Sequence, residues 1–197
     1  MFLKQAKTIA VETCYRLQQY CIDKKINIAG SVRRKKAEPN DIEIVCLPKV
    51  TEITDLFGNV IAYERPVEFI GILNGLGKII KGNAADGKMM QIALKENIML
   101  DLFMPDECDY YRIFCIRTGP RDYSHHIIAN AWVNRGWVGC DKGLRKIIDC
   151  EGIKQVDGTR KWKCINPDAE LPPVWQSEEG FFAWLRIPYK EPELRNL

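Results

Sequence analysis

Asp41 and Glu43 stand two residues apart in Asp41-Ile42-Glu43-Ile44, a run whose other positions are isoleucine. On a β-strand, side chains two apart point to the same face. The two carboxylates can therefore share a cation while Ile42 and Ile44 face a core. A third carboxylate, Asp101, lies in the apolar run Met99-Leu100-Asp101-Leu102-Phe103, a strand able to pair beside the first. Gly30-Ser31 precedes Asp41 by nine intervening residues and supplies a turn of phosphate size. Three acidic groups on one face can hold two Mg²⁺ ions around a triphosphate, which points to metal-dependent nucleotidyl transfer.

The elements that must position these groups follow from apolar periodicity. Phe2, Ala6, Ile9, Ala10, Thr13, Leu17 and Tyr20 recur near helical spacing, so residues 2–23 are expected to form an amphipathic helix. A short strand over 26–29 then delivers the chain to Gly30-Ser31. A basic turn closed by Pro39-Asn40 leads into the carboxylate strand 41–47, which Pro48 ends. Residues 50–57 suit a short helix. The apolar runs 89–94 and 98–103, separated by Lys95-Glu96-Asn97, read as a hairpin carrying Asp101 on its second strand. This order indicates an α+β domain with a mixed, antiparallel-rich sheet.

At Pro105-Asp106 the strand pattern stops, so the chain is expected to divide into domains 1–105 and 106–197. Helical spacing resumes over 109–116 and 122–133, with Arg117-Thr118-Gly119-Pro120 between them as a stop and restart signal. Residues 137–164 resemble short strands with turns at Gly143, Gly152 and Gly158. Ser177-Glu178-Glu179 caps a last helix ending near Leu185, with acids in the first turn as the helix dipole prefers. Leu76-Gly77-Lys78-Ile79-Ile80 superficially resembles a weak phosphate loop or a hairpin glycine motif.

With 197 residues, 46% of them hydrophobic, the chain can bury a core without staples. It has neither a long apolar run nor the apolar core of a signal segment, so a cytoplasmic protein without membrane contact is expected. None of the eight cysteines forms a C-x-x-C pair, and reduced thiols are expected. The net charge of +3 is too small to identify a polyanionic partner. Its distribution says more: residues 1–105 carry 15 Lys+Arg against 12 Asp+Glu, and residues 106–197 carry 14 of each. The excess falls on the half with the three acids. Arg33-Arg34-Lys35-Lys36, Lys142 to Lys146 and Arg160 to Lys163 are basic clusters, and solvated turns and hairpin faces are favoured over nucleic-acid contacts for the last two.

The sequence resembles a family X DNA polymerase of the polymerase beta type over nearly its whole length. The resemblance is carried by Ala29-Gly30-Ser31-Val32-Arg33-Arg34, Asp41-Ile42-Glu43-Ile44, Leu100-Asp101-Leu102-Phe103, Arg117-Thr118-Gly119-Pro120 and the tail Ser177-Glu178-Glu179 to Ile187-Pro188-Tyr189 and Pro192-Glu193-Leu194-Arg195. The Gly-Ser and carboxylate motif belongs to a wide nucleotidyltransferase superfamily; the Thr-Gly turn and Pro-Tyr tail narrow it to polymerases. Only one helix precedes Gly30, so the chain is similar to the minimal palm-plus-thumb form, without a lyase domain. The resemblance implies a polymerase beta-like nucleotidyltransferase palm followed by a small α+β thumb.

It also implies roles. Asp41 and Glu43 would ligate both Mg²⁺ ions, and Asp101 the catalytic one while accepting the primer 3′-hydroxyl proton. Gly30, Ser31 and Arg34 match positions that hold the triphosphate; Thr118, Gly119 and Arg121 match the nucleotide site; Lys81, Ser124 and His125 match positions near DNA. The partners would be dNTP and a primer-template or gapped duplex, and the protein a monomer. Glu43 departs from the Asp usual in the family, which moves the carboxylate by roughly 1.5 Å, and Mn²⁺ is expected to support activity as well. Ile116 and Arg117 replace an aromatic pair that crowds the sugar. His125-His126 diverge by about 100° on a helix, which argues against joint metal ligation.

A DNA-directed DNA polymerase filling short gaps, in repair or in a viral or mobile genome, is the principal expectation. A template-independent nucleotidyltransferase acting on RNA, protein or a small molecule is the second. A nucleic-acid-binding scaffold that has lost turnover is the non-enzymatic alternative.

Overall fold

The computed structural model describes residues 1–156 and 158–196. The chain divides into two units, Met1–Asp106 with Pro192–Leu194, and Glu107–Glu191 with the chain end from Arg195.

In the first unit, helix α1 (Leu3–Leu17) buries Ala6, Ala10, Thr13 and Leu17, a stripe at helical spacing. The helix is shorter than periodicity predicts. A single 3₁₀ turn (Gln18–Tyr20) follows Leu17, and strand β1 already begins at Cys21 and runs to Ala29. The reason lies in strand pairing: Cys21 opposes Pro48, and after an irregularity Ile26 opposes Cys46. Lys24, at φ 59, sits inside that irregularity, and its carbonyl accepts from Asn27 Nδ2 at 3.0 Å. A helical register would forfeit those ladder bonds.

The turn α2 (Gly30–Arg33) connects β1 to β2 (Asp41–Pro48). The short helix expected over 50–57 is instead a hairpin of β3 (Thr51–Thr54) and β4 (Val60–Glu64). Thr51, Ile53, Thr54, Val60 and Ile61 are β-branched and favour a pleated backbone. Asp55 fixes the turn, its Oδ1 accepting from the amides of Phe57 (2.8 Å) and Asn59 (2.9 Å). Helix α3 (Val67–Gly75) buries Phe69 and Leu73, one turn apart. Residues of the Leu76–Ile80 glycine motif form the edge strand β5 (Gly77–Lys81), not a phosphate loop. Gly77 there abuts the opposite backbone, since a Cβ would lie 2.2 Å from the Ala93 carbonyl oxygen.

Strands β6 (Met89–Leu94) and β7 (Met99–Phe103) form the expected antiparallel hairpin, with Asn97 at φ 57 in its turn. The sheet order is β1-β2-β7-β6-β5. Strands β2 and β7 run parallel and the other neighbours antiparallel, so the sheet is mixed. Ile42, Ile44, Met90, Ile92, Leu100 and Leu102 fill one face completely and join a single core with Ala6, Ala10, Leu17, Phe69 and Leu73. Burying such a side chain contributes about 1.5–3 kcal/mol, so this face fixes the strand register. The alternate positions Asp41, Glu43, Asp101 and Gln91 are half-buried on the opposite face.

The second unit opens with α4 (Tyr110–Thr118). A helical run follows: α5 (Arg121–Tyr123), a π-helical stretch (Ser124–Ala129) and α6 (Asn130–Asn134). The hairpins β8 (Trp137–Cys140) with β9 (Gly143–Lys146), and β10 (Cys150–Lys154) with β11 (Arg160–Cys164), come next. Gly143 and Gly158 have positive φ at turns, whereas Gly152, expected in a turn, lies mid-strand opposite Trp162. There it sits close to Arg160, whose Cδ would meet a Cβ at 2.5 Å. Helix α7 (Glu178–Leu185) is capped by Ser177, whose hydroxyl accepts from the Gly180 amide at 3.0 Å. Phe181, Phe182, Trp132, Trp137 and Trp175 build this unit's core. A buried ion pair, Arg195 to Glu178 at 2.9 Å, ties the chain end to α7. Among the described residues, no helix is long and apolar enough to cross a membrane.

Candidate active site

Strand register places the carboxylates. Glu43 is the direct partner of Asp101 across the parallel β2–β7 pair, and Asp41 lies one same-face step along β2. Alternation then puts all three on the sheet face opposite the Ile42–Leu100 core, a face on which Val45 and Phe103 are buried and the acids are half-buried. The row through Glu43 and Asp101 continues through Ala29 on one side, and through Gln91 and Lys81 on the other. The β5–β6 ladder shifts register between Ile79 and Lys81, so Lys81 opposes Gln91 after an irregularity, two strands from Asp101 and roughly 10 Å away by strand spacing.

Gly30 follows Ala29, whose partner is Glu43, and adopts φ +61. A Cβ at Gly30 would lie 2.0 Å from Glu43 Oε2 and 3.1 Å from Glu43 Cβ. Only glycine both accepts this backbone conformation and leaves space for the carboxylate. Ser31 is buried, and its Oγ has no hydrogen-bond partner among the described residues. An orphaned hydroxyl in a native fold calls for an explanation, and an anionic oxygen seated at this turn would supply one. Replacing Ser31 by alanine removes the desolvated, unpaired group. The fold should gain about 1 kcal/mol and the thermal midpoint should rise by about 2–4 °C, while the KM for a nucleotide rises about tenfold, the scale of one hydrogen bond to a charged group. Thermal melting and steady-state kinetics check both directions.

Electrostatics separate Asp41 from an ordinary surface acid. Burial, and then the charge of Asp101, push its carboxyl above the usual aspartate range, against smaller opposing effects from its own backbone amide, Arg34 and Lys36. Asp101 Oδ1 accepts from Gln91 Nε2 at 2.9 Å. Among the described residues, no three His, Cys, Asp or Glu side chains are gathered into a cluster that could hold a metal ion. The three acids share a face and neighbouring rows without that closure, and like charges on adjacent strands resist it. In chemistry the set nevertheless suits a hard divalent cation: carboxylate oxygens only, on a rigid sheet, beside an unpaired hydroxyl.

The remaining expected residues lie in the second unit. Thr118 is buried, and its hydroxyl donates to the Phe114 carbonyl at 2.8 Å, so it is occupied within α4. Gly119 has φ 63, and Arg121 is exposed at the start of α5. Ser124 Oγ donates to the Ile116 carbonyl at 2.8 Å. His125 is exposed on the π-helical stretch, its ring 5.4 Å from that of His126. Such stretches are frequent at functional sites. The clusters at 142–146 and 160–163 are hairpin residues: Lys146 pairs with Glu170, and Arg160 lies over the Trp162 ring.

Gln91 is the residue that motif reading missed. A signal for it exists: a hairpin centred on Glu96 opposes residue 91 to residue 101, and Gln91 is the only polar side chain in β6.

This fold, a mixed α+β arrangement with acids on one sheet face, is a polymerase beta-like one. The chain is similar in structure to the crystal structure of Leishmania infantum polymerase beta in a ternary P/T complex, with a TM-score of 0.63, 16% sequence identity, and coverage of 100% of this chain and 77% of that one. No protein-family model matches the sequence, and no curated protein matches it.

Proposed function

We propose that this protein is a DNA-directed DNA polymerase of family X, in a minimal palm-plus-thumb form. It would join a dNTP to a primer 3′-hydroxyl to fill short gaps. The observation that carries this reading is the row of Glu43 beside Asp101, with Asp41 one step away and the Gly30-Ser31 turn against Glu43. A nucleotidyl transfer needs an attacking hydroxyl freed of its proton, an aligned phosphorus, and compensation of charge on the departing pyrophosphate. Asp41, Glu43 and Asp101 would hold Mg²⁺, or Mn²⁺, which when bound acidifies the hydroxyl and neutralises phosphate charge.

The chain's own groups do the rest. Ser31 Oγ and its amide bind a triphosphate oxygen, and Arg34 offers a forked pair of N–H donors to another. Asp101 Oδ1 accepts from Gln91, so Oδ2 would be the atom that takes the 3′-hydroxyl proton. Lys81, opposite Gln91 on the edge strand, suits a phosphodiester backbone.

Template dependence tests the reading against a template-independent transferase. On a one-nucleotide gapped duplex, the complementary dNTP should be added at least about 100-fold faster than a mismatched one, as expected when pairing selects the substrate. Equal addition to a single-stranded primer with the template omitted would reject the polymerase and favour the other transferase.

A further inference from the structure

On the basis of that polymerase reading, we propose that Gln91 is a positioning residue: it clamps Oδ1 of Asp101 so that the carboxylate presents Oδ2 to the reacting hydroxyl. Three observations carry this. Gln91 and Asp101 are direct cross-strand partners, and the amide Nε2 lies 2.9 Å from Oδ1. An ionised carboxylate only accepts hydrogen bonds, so the amide nitrogen, not its oxygen, must face it. The β6–β7 ladder is regular from Met89 to Ala93, and β6 also pairs with β5 on its other side, so the backbone beneath Gln91 is held within the sheet.

The neighbours make the clamp consequential. Asp101 stands between Gln91 on one strand and the like-charged Glu43 on the other. A neutral donor on the side away from Glu43 favours the one carboxylate orientation that keeps Oδ1 on Gln91. The same-face positions flanking Gln91 on its own strand are Met89 and Ala93, which donate nothing. No other side chain of β6 can take over the role.

Gln91→Met keeps length and strand compatibility but removes the donor; Gln91→Glu keeps shape and sets a second negative charge against Asp101. Both variants should melt close to wild type. In single-gap incorporation each should lose roughly 10- to 100-fold in kcat, the cost of releasing a ligand from its outer hydrogen bond, with the dNTP KM within about twofold of wild type. Gln91→Glu should lose at least as much as Gln91→Met. Mn²⁺ titration followed by electron paramagnetic resonance, with no nucleotide or DNA, should show affinity weakened about tenfold or more in Gln91→Met.

A kcat within about twofold of wild type in both variants, or a loss appearing wholly in KM, overturns the inference. If the wild-type chain incorporates no nucleotide, the polymerase reading falls separately, and the Mn²⁺ titration alone decides: equal affinity in wild type and Gln91→Met overturns the clamp.

Discussion

Replacing Asp101 by asparagine should reduce nucleotide incorporation by about three orders of magnitude or more while leaving the melting profile close to wild type. The magnitude follows from two simultaneous losses, a cation ligand and the acceptor for the hydroxyl proton, each of which contributes substantially to such reactions. Stability should change little because Asp101 is half-buried on the opposite face from the core that Leu100 and Leu102 enter. The amide is nearly isosteric, and its oxygen can still accept from Gln91. Substitution also removes the negative charge that helps push the Asp41 carboxyl up. Single-turnover incorporation beside a thermal melt measures both quantities. A variant retaining a tenth of wild-type activity would show that Asp101 is not a reacting group.

Gly30→Ala should be nearly as damaging to activity, for a different reason. The new Cβ would fall 2.0 Å from Glu43 Oε2, and with Glu43 Cβ only 3.1 Å away the side chain cannot simply swing its tip aside. The carboxylate would move by an ångström or more, a displacement on the order of 100-fold in rate. The left-handed backbone at φ +61 adds about 1–2 kcal/mol of strain. Gly58→Ala separates the two effects, since Gly58 has φ +82 with nothing within 4 Å of a new Cβ. The Gly58 variant should lose comparable stability and keep its activity. Were both variants equally inactive, global destabilisation, not carboxylate displacement, would explain Gly30.

The site was legible wherever a local rule was sufficient. Period-two alternation assigns Asp41 and Glu43 to one face, and the structure leaves Ile42 and Ile44 fully buried on the other. The turn at 95–97 made the β6–β7 hairpin readable, although its second strand begins at Met99. Long-range choices were not legible. That the Asp101 strand pairs beside the Asp41 strand was expected, but their parallel direction and the register that sets Glu43 against Asp101 depend on the whole sheet, and nothing local encodes them. The same limit hid the early start of β1, because Cys21 is held in a strand by its partner Pro48. Over residues 50–57 the expected helix gives way to a hairpin, because β-branched side chains and the Asp55 turn outweigh apolar spacing. The fit of Gly30 against Glu43, and the unpaired Ser31 hydroxyl, exist only in three dimensions.

The most direct test is incorporation of a labelled dNTP on a gapped duplex by the purified wild-type chain, with Mg²⁺ present and with it chelated, beside Asp101→Asn. Extension by wild type that chelation abolishes, and that Asp101→Asn lacks, is the predicted result. Extension that is indifferent to both the divalent ion and Asp101, or none by folded wild type with Mg²⁺ or Mn²⁺, would contradict the assignment of these three acids.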